Sequence, residues 1–197
     1  MSTLMELNSI LNIVISSDLS VDILTSWLCI EDVSRLDIAI CSRDQRKDFL
    51  YAISSEVELA VFDGFKKYNS GFLIWLDIRR VYINRFILPD MLNESSITHF
   101  KTLMERTGHL ITEVHTVDSV DYARITDTTI VRIAYNCPSL QSLSLNSCFN
   151  ITDTAIIKIS ENCLSLQSLS LNCCYNITDT AIIRIAENCL LLQSFAY

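Results

Sequence analysis

Eight cysteines and three histidines are the residues of this 197-residue chain best equipped for chemistry, as metal ligands, nucleophiles or bases. Their spacing argues for another role. Cys137, Cys163 and Cys189 stand 26 residues apart, and so do Cys148 and Cys174. Thiols that recur in phase with leucines read as small buried hydrophobes. Metal binding needs clustered ligands of the CxxC or Cys/His kind. The adjacent pair Cys173 and Cys174 is the nearest approach, and the repeating part contains no histidine. Cys29 and Cys41 lie in apolar helical contexts without flanking cations that would favour a thiolate. His99, His109 and His115 are scattered, with no nucleophile at a recognisable spacing. Asp153 and Glu161 suit helix capping and solvation better than acid–base work. Three glycines are too few for a phosphate-cradling loop. The residues therefore point to no catalytic site, no metal and no cofactor, and the chain reads as a non-enzyme.

What the cysteines do mark is a repeat. Ile-Thr-Asp-Thr opens at Ile125, Ile151 and Ile177. Residues 125–150 match 151–176 at 18 of 26 positions, and 151–171 match 177–197 at 15 of 21. Self-similarity at this period is the signature of a stacked solenoid, which offers an extended surface rather than a pocket.

In the central unit, Thr152 and Asp153 read as a helix start, one capping free amides and the other placing negative charge in the first turn. Ala155, Ile156, Ile159 and Cys163 share one helical face, and Asn162 reads as the terminator. In Leu166–Leu171, Leu169 and Leu171 alternate with Ser168, Ser170 and Asn172, the period-two pattern of a half-buried strand. Each unit is thus a strand, a turn and a helix. Stacking aligns Leu143 with Leu169 and Phe195, and Ile133 with Ile159 and Ile185, giving a parallel sheet on one side and a row of helices on the other.

Half of the residues are apolar, with Gly and Pro at 3 and 2, which argues against a disordered chain. The net charge of −8 argues against nucleic-acid binding, because phosphate contacts need a surplus of Lys and Arg. Residues 125–197 hold five acids and three bases, so their contacts are expected to be polar or apolar. Glu6 precedes the apolar run 11–15 and the first basic residue is Arg35, unlike a secretory signal. No stretch reaches the length of a membrane span. The expected location is the cytoplasm, with the nucleus open.

These residues resemble the cysteine-containing leucine-rich repeat, whose pattern is C-x-x-L-x-x-L-x-L-x-x-C-x-x-I-T-D. Cys137, Leu140, Leu143, Leu145, Cys148, Ile151, Thr152 and Asp153 carry it, and Cys163, Leu166, Leu169, Leu171, Cys174, Ile177, Thr178 and Asp179 carry it again. The resemblance covers 125–197, as three repeats with the last incomplete. It implies an α/β leucine-rich-repeat solenoid, with the sheet on the concave side and helices on the convex side. Upstream, Gly108, Ile111 and Val114 stand for Cys, Leu and Leu, and 95–107 reads as the preceding helix, ended by Gly108. Trp75–Leu88, with alternating apolar residues at Val81 and Ile83, reads as the first strand. Residues 75–124 therefore read as degenerate repeats capping the start of the array. At the far end the pattern stops at Tyr197, inside a strand. The expectation there is a fragment of a longer array, the alternative being another chain over that edge.

Residues 1–63 lack the repeat and have helical spacing, and 64–74 form the best linker. An all-α segment ahead of such repeats resembles the F-box/leucine-rich-repeat proteins. Leu19, Asp22, Ile23, Leu24, Trp27, Leu28, Asp32, Val33, Arg35, Ala39, Cys41 and Arg46 fit an F-box-like pattern, with Ser20 where the family's proline usually stands. In that family the F-box docks on the Skp-type linker subunit of a cullin ubiquitin ligase, and the repeats hold a substrate for ubiquitin-dependent degradation. The resemblance thus implies docking through Ile23, Leu24, Trp27, Leu28, Val33 and Leu36. The alternative is that 18–60 only caps the sheet, in a stand-alone interaction scaffold or a truncated paralogue. Strand residues facing away from the leucines would line a shallow polar groove for an as yet unknown protein substrate: Ser142, Ser144 and Asn146, then Ser168, Ser170 and Asn172, then Ser194 and Ala196. Small side chains supply no anchor, so Phe149 and Tyr175, beside the strand ends, are the anchor candidates. Val131, Ile157 and Ile183 form an apolar row on the helix side, either packed between helices or a second contact stripe.

Overall fold

The structure is a computed structural model that describes residue 37, residues 43–44 and 46–47, and residues 70–78, 80–88, 94–116 and 125–197. Its elements alternate: α1 (Ser70–Ile78), β1 (Arg85–Leu88), α2 (Glu94–Thr107), a 3-10 turn (Gly108–Leu110), β2 (Glu113–Thr116), α3 (Asp127–Asn136), β3 (Ser142–Ser144), α4 (Asp153–Asn162), β4 (Ser168–Ser170), α5 (Asp179–Asn188) and β5 (Ser194–Ala196). The strands form one parallel sheet in the order β1-β2-β3-β4-β5, an α/β arrangement compatible with a solenoid. Val114, Leu143, Leu169 and Phe195 are register partners in one column. The first three are buried, together with Ile133, Ile159 and Ile185 from the helices.

Each late helix is built by the same local chemistry. Thr152 and Thr178 sit extended at the N-cap and accept from the amides of Thr154 and Thr180, each at 3.3 Å. Asp153 and Asp179 occupy the first turns. Asn136 and Asn162 close their helices by donating Nδ2 to the carbonyl four residues back, at 2.8 Å in each case. The Cys137, Cys163 and Cys189 amides then donate to Ile133, Ile159 and Ile185, each at 2.9 Å.

Between units, a ladder of polar contacts supplements the apolar core. The Asp127 carboxylate accepts from the Thr152 amide at 2.7 Å and its hydroxyl at 2.5 Å, and Asp153 does the same for Thr178. Cys174 donates its thiol to the Leu145 carbonyl at 3.0 Å, and Cys163 to that of Cys137 at 3.5 Å. The thiols are packing groups, as their periodicity suggested. Burial pushes Cys148 and Cys163 up to about 12, and holds Cys137 still more firmly as the neutral thiol. Ser147 and Cys173, at equivalent positions, turn the chain after their strands with φ of 62° in each case.

The early part departs from expectation. The run 75–88 is not one strand: α1 extends to Ile78 and β1 begins only at Arg85. Leu73 and Leu76, three apart, are both fully buried from the helix, whereas Val81 and Ile83 are buried from the connection. A short apolar run fits either period, and here the 3.6-residue one wins up to Ile78. The helix also begins at Ser70, inside the stretch 64–74 read as a linker. Gly108 follows α2 as expected, and the packing supplies the reason. A Cβ there would lie 2.5 Å from the Asn136 carbonyl oxygen, so only glycine lets the next unit approach. Upstream, Asp37 is fully buried, accepting from Arg46 Nε at 2.8 Å and Trp75 Nε1 at 2.9 Å. That contact ties Asp37 and Arg46 to Trp75 of α1.

A candidate protein-binding face on the sheet

Because side chains alternate across a strand, the residues flanking the buried column share the opposite face of the sheet. The register fixes two rows on it. Arg85, Glu113, Ser142, Ser168 and Ser194 form one, and Ile87, His115, Ser144, Ser170 and Ala196 the other. Ser142, Ser144, Ser168 and Ser170 are all half-exposed. The structure thus brings these four sequence-derived site residues together.

Arg85, Glu113 and His115 belong to the same face, although in the sequence only His115 stood out, and only as a scattered histidine. Arg85 Nη2 lies 3.0 Å from Glu113 Oε1, and His115 Nε2 lies 3.2 Å from Glu113 Oε2. The face is therefore charged at its β1–β2 end and carries only hydroxyl and methyl groups from β3 to β5. The signal was present: once Val114 takes a leucine position, its neighbours Glu113 and His115 must point the other way.

At the strand ends the asparagines are engaged within the fold. Asn146 Oδ1 accepts from Ser170 Oγ at 2.7 Å and from the Asn172 amide at 3.1 Å, and Asn172 Nδ2 donates to Ser170 Oγ at 3.1 Å. These three side chains join β3 to β4, which reduces what they can offer a partner. Phe149 and Tyr175 are different. Their rings stack with centroids 5.9 Å apart and planes 8° from parallel, while 37% and 77% of each residue stays exposed. Asn176 Nδ2, donating to the Phe149 carbonyl at 2.6 Å, holds the two loops together. The Tyr175 phenol pairs with the exposed Cys173 thiol, and that hydrogen bond raises its pKa from the ordinary value. An exposed, already ordered aromatic pair loses little conformational freedom on contact, which suits an anchor.

On the helix side, Val131 and Ile157 are half-buried, whereas Ile183 is exposed. Val131 lines a shallow groove with Asp127, Arg132, Tyr135 and Thr154. His99 pairs with Asp77 at 2.7 Å, away from the sheet face. Among the described residues no group of three or more His, Cys, Asp or Glu is placed to hold a metal ion, and no helix is long and apolar enough to cross a membrane. The docking residues Ile23, Leu24, Trp27, Leu28, Val33 and Leu36 lie outside the described residues. The chain matches no family model, and no curated protein matches it.

Proposed function

We propose that this chain is a non-catalytic, protein-binding leucine-rich-repeat solenoid of the cysteine type, with the outward face of its sheet concave. Its partner is a protein segment lying across the serine rows and anchored on Phe149 and Tyr175. In the fuller form of this reading the chain is a substrate-recognition adaptor. Residues 18–60 dock a Skp-type linker subunit of a cullin ubiquitin ligase, and the sheet face holds the protein to be degraded. The observation that carries the binding reading is the exposed Phe149–Tyr175 stack at the edge of the uncharged β3–β5 part of the face, which is built from small side chains. The adaptor step rests on the F-box-like residues at 19–46.

The alternative has its own support. The buried contact of Asp37 with Arg46 and Trp75 suits a segment that caps the array, in a stand-alone scaffold without a ligase. One binding experiment separates the two. A purified Skp-type linker subunit is titrated with the full chain and with a Leu24→Asp, Leu28→Asp double variant shown to be folded by circular dichroism. The adaptor reading expects binding by the wild type and at least a tenfold loss in the variant. A folded wild type that does not bind leaves the scaffold.

A further inference from the structure

We propose, resting on the sheet-face reading above, that the bound segment carries an acidic side chain which pairs with Arg85. Its carboxylate lies about four or five residues from the aromatic or apolar group held by the Phe149–Tyr175 stack. The later units place serine at both outward positions of the strand, Ser142 and Ser144, then Ser168 and Ser170. At the same register positions β1 and β2 have Arg85 and Glu113 in one row, Ile87 and His115 in the other. These side chains are larger, and three of the four can ionise, so the serine-lined floor ends there in a polar wall. Ile87 is 4% exposed, and the side chains of Arg85, Glu113 and His115 are 32%, 25% and 26% exposed. The corner is partly withdrawn from water, where charge pairing is screened less than on an open surface.

The sign of the partner's charge follows from the arrangement. Glu113 gives one oxygen to each neighbour, Oε1 at 3.0 Å from Arg85 Nη2 and Oε2 at 3.2 Å from His115 Nε2. A cation arriving here would have to draw Glu113 away from both. A carboxylate meets a guanidinium with five donors in a planar fork, able to serve Glu113 and a second acid together. From β3 to β5 the described residues of the face offer only hydroxyl and methyl groups, and the whole chain carries −8. An acidic side chain is therefore favoured beside Arg85 and not along the serine rows. The chain's distant acids do not offset that contact, since salt screens exposed charges beyond roughly 8 Å. The spacing follows from the sheet. Two strand spacings of about 4.8 Å separate the β1–β2 pair from the β3–β4 pair, and the stack lies in the loops past the strand ends. Extended chain at about 3.3 Å per residue crosses that width in roughly three residues and needs roughly one or two more to reach the loops.

Panning random peptides displayed on phage against the full chain, with Arg85→Gln and Tyr175→Ala variants in parallel, tests this. The expected yield is peptides with Asp or Glu at that spacing from Trp, Tyr or Phe. Their affinity should fall at least tenfold on Arg85→Gln and on Tyr175→Ala, with both variants keeping the wild-type circular dichroism spectrum. Exchanging the peptide's own acid for its amide leaves the protein untouched. It should cost the same factor on the wild type and nothing further on Arg85→Gln, and it decides alone should Arg85→Gln fail to fold. Peptides weakened by Tyr175→Ala but indifferent to loss of their acid would overturn the carboxylate assignment while keeping the face as the binding surface. Peptides indifferent to both protein variants, or no selected peptide, would overturn the sheet-face reading and the carboxylate assignment with it.

Discussion

Asp153→Ala is the substitution that most directly tests how the units are held together. Its carboxylate accepts two hydrogen bonds from Thr178, at 2.7 Å from the amide and 2.5 Å from the hydroxyl, across a separation of 25 residues. A hydrogen bond to a charged group contributes about 1.5–3 kcal/mol. Thr178 is exposed, so water replaces much of what is lost, and the two bonds together contribute about 1.5 kcal/mol. The negative charge in the first turn of α4 adds about 0.5 kcal/mol. The expected loss is therefore about 2 kcal/mol. Asp179→Ala is the internal control. Asp179 occupies the same first-turn position on α5 but reaches no following threonine, so only the helix-end contribution of about 0.5 kcal/mol should go.

Urea unfolding followed at 222 nm would measure both. Because stability in a stacked array is largely a sum over neighbours, the loss at Asp153 should concentrate in the last unit. Hydrogen exchange of the α5 amides should then accelerate roughly thirtyfold, while those of α3 hold steady. A double-mutant cycle with Thr178→Val assigns the coupling to this pair. Equal effects of Asp153→Ala and Asp179→Ala, within about 0.5 kcal/mol, would falsify the ladder as a source of stability.

Three further outcomes are expected. Gly108→Ala places a Cβ 2.5 Å from the Asn136 carbonyl oxygen and should cost about 1–3 kcal/mol in urea unfolding, by forcing apart two units. Alkaline pH should destabilise the fold, since Cys148 and Cys163 sit at about 12 folded against an ordinary 9.0. Between those values the unfolded state ionises first, so stability present below pH 9 falls by about 1.4 kcal/mol per pH unit per thiol. Melting temperature against pH, compared for wild type and Cys163→Ala, should show a shallower decline in the variant. Trp75→Phe removes the indole donor 2.9 Å from buried Asp37 and should cost about 1–3 kcal/mol, read as an earlier urea midpoint.

The late repeats were legible because each level of the sequence agrees. The Thr-Asp start, the apolar helical face, the asparagine stop and the alternating leucines all name the same boundaries, and the structure places α4 and β4 inside them. Early residues lacked that agreement. In 70–88 the short apolar run Phe72–Leu76 supports either period, and only the burial of Leu73 and Leu76 decides for helix. Inter-unit bonds were less visible still. Asp153 looked like a local helix-start residue, and its partner Thr178 is recognisable only when successive units are superposed. The same blindness hid Arg85 and His115, whose shared face depends on register across strands distant in sequence.

The sheet face is not uniform, and that shapes what it can recognise. Asn146, Ser170 and Asn172 form hydrogen bonds with one another, so polarity alone is a poor guide to which residues bind. Two separated places differ in chemistry from the small side chains between them. At one end stands the Arg85–Glu113–His115 cluster, and at the strand ends of β3 and β4 stands the Phe149–Tyr175 stack. The small hydroxyl-bearing rows between them leave room for a segment to lie flat without clash. On the proposed binding reading, a partner matched to this arrangement carries a charged or polar group towards β1 and an apolar or aromatic group towards the stack. The face is then read in one direction only. Reversing the segment would press an apolar group on a charged cluster and leave the stack uncovered, a mismatch that costs both desolvation and the anchor.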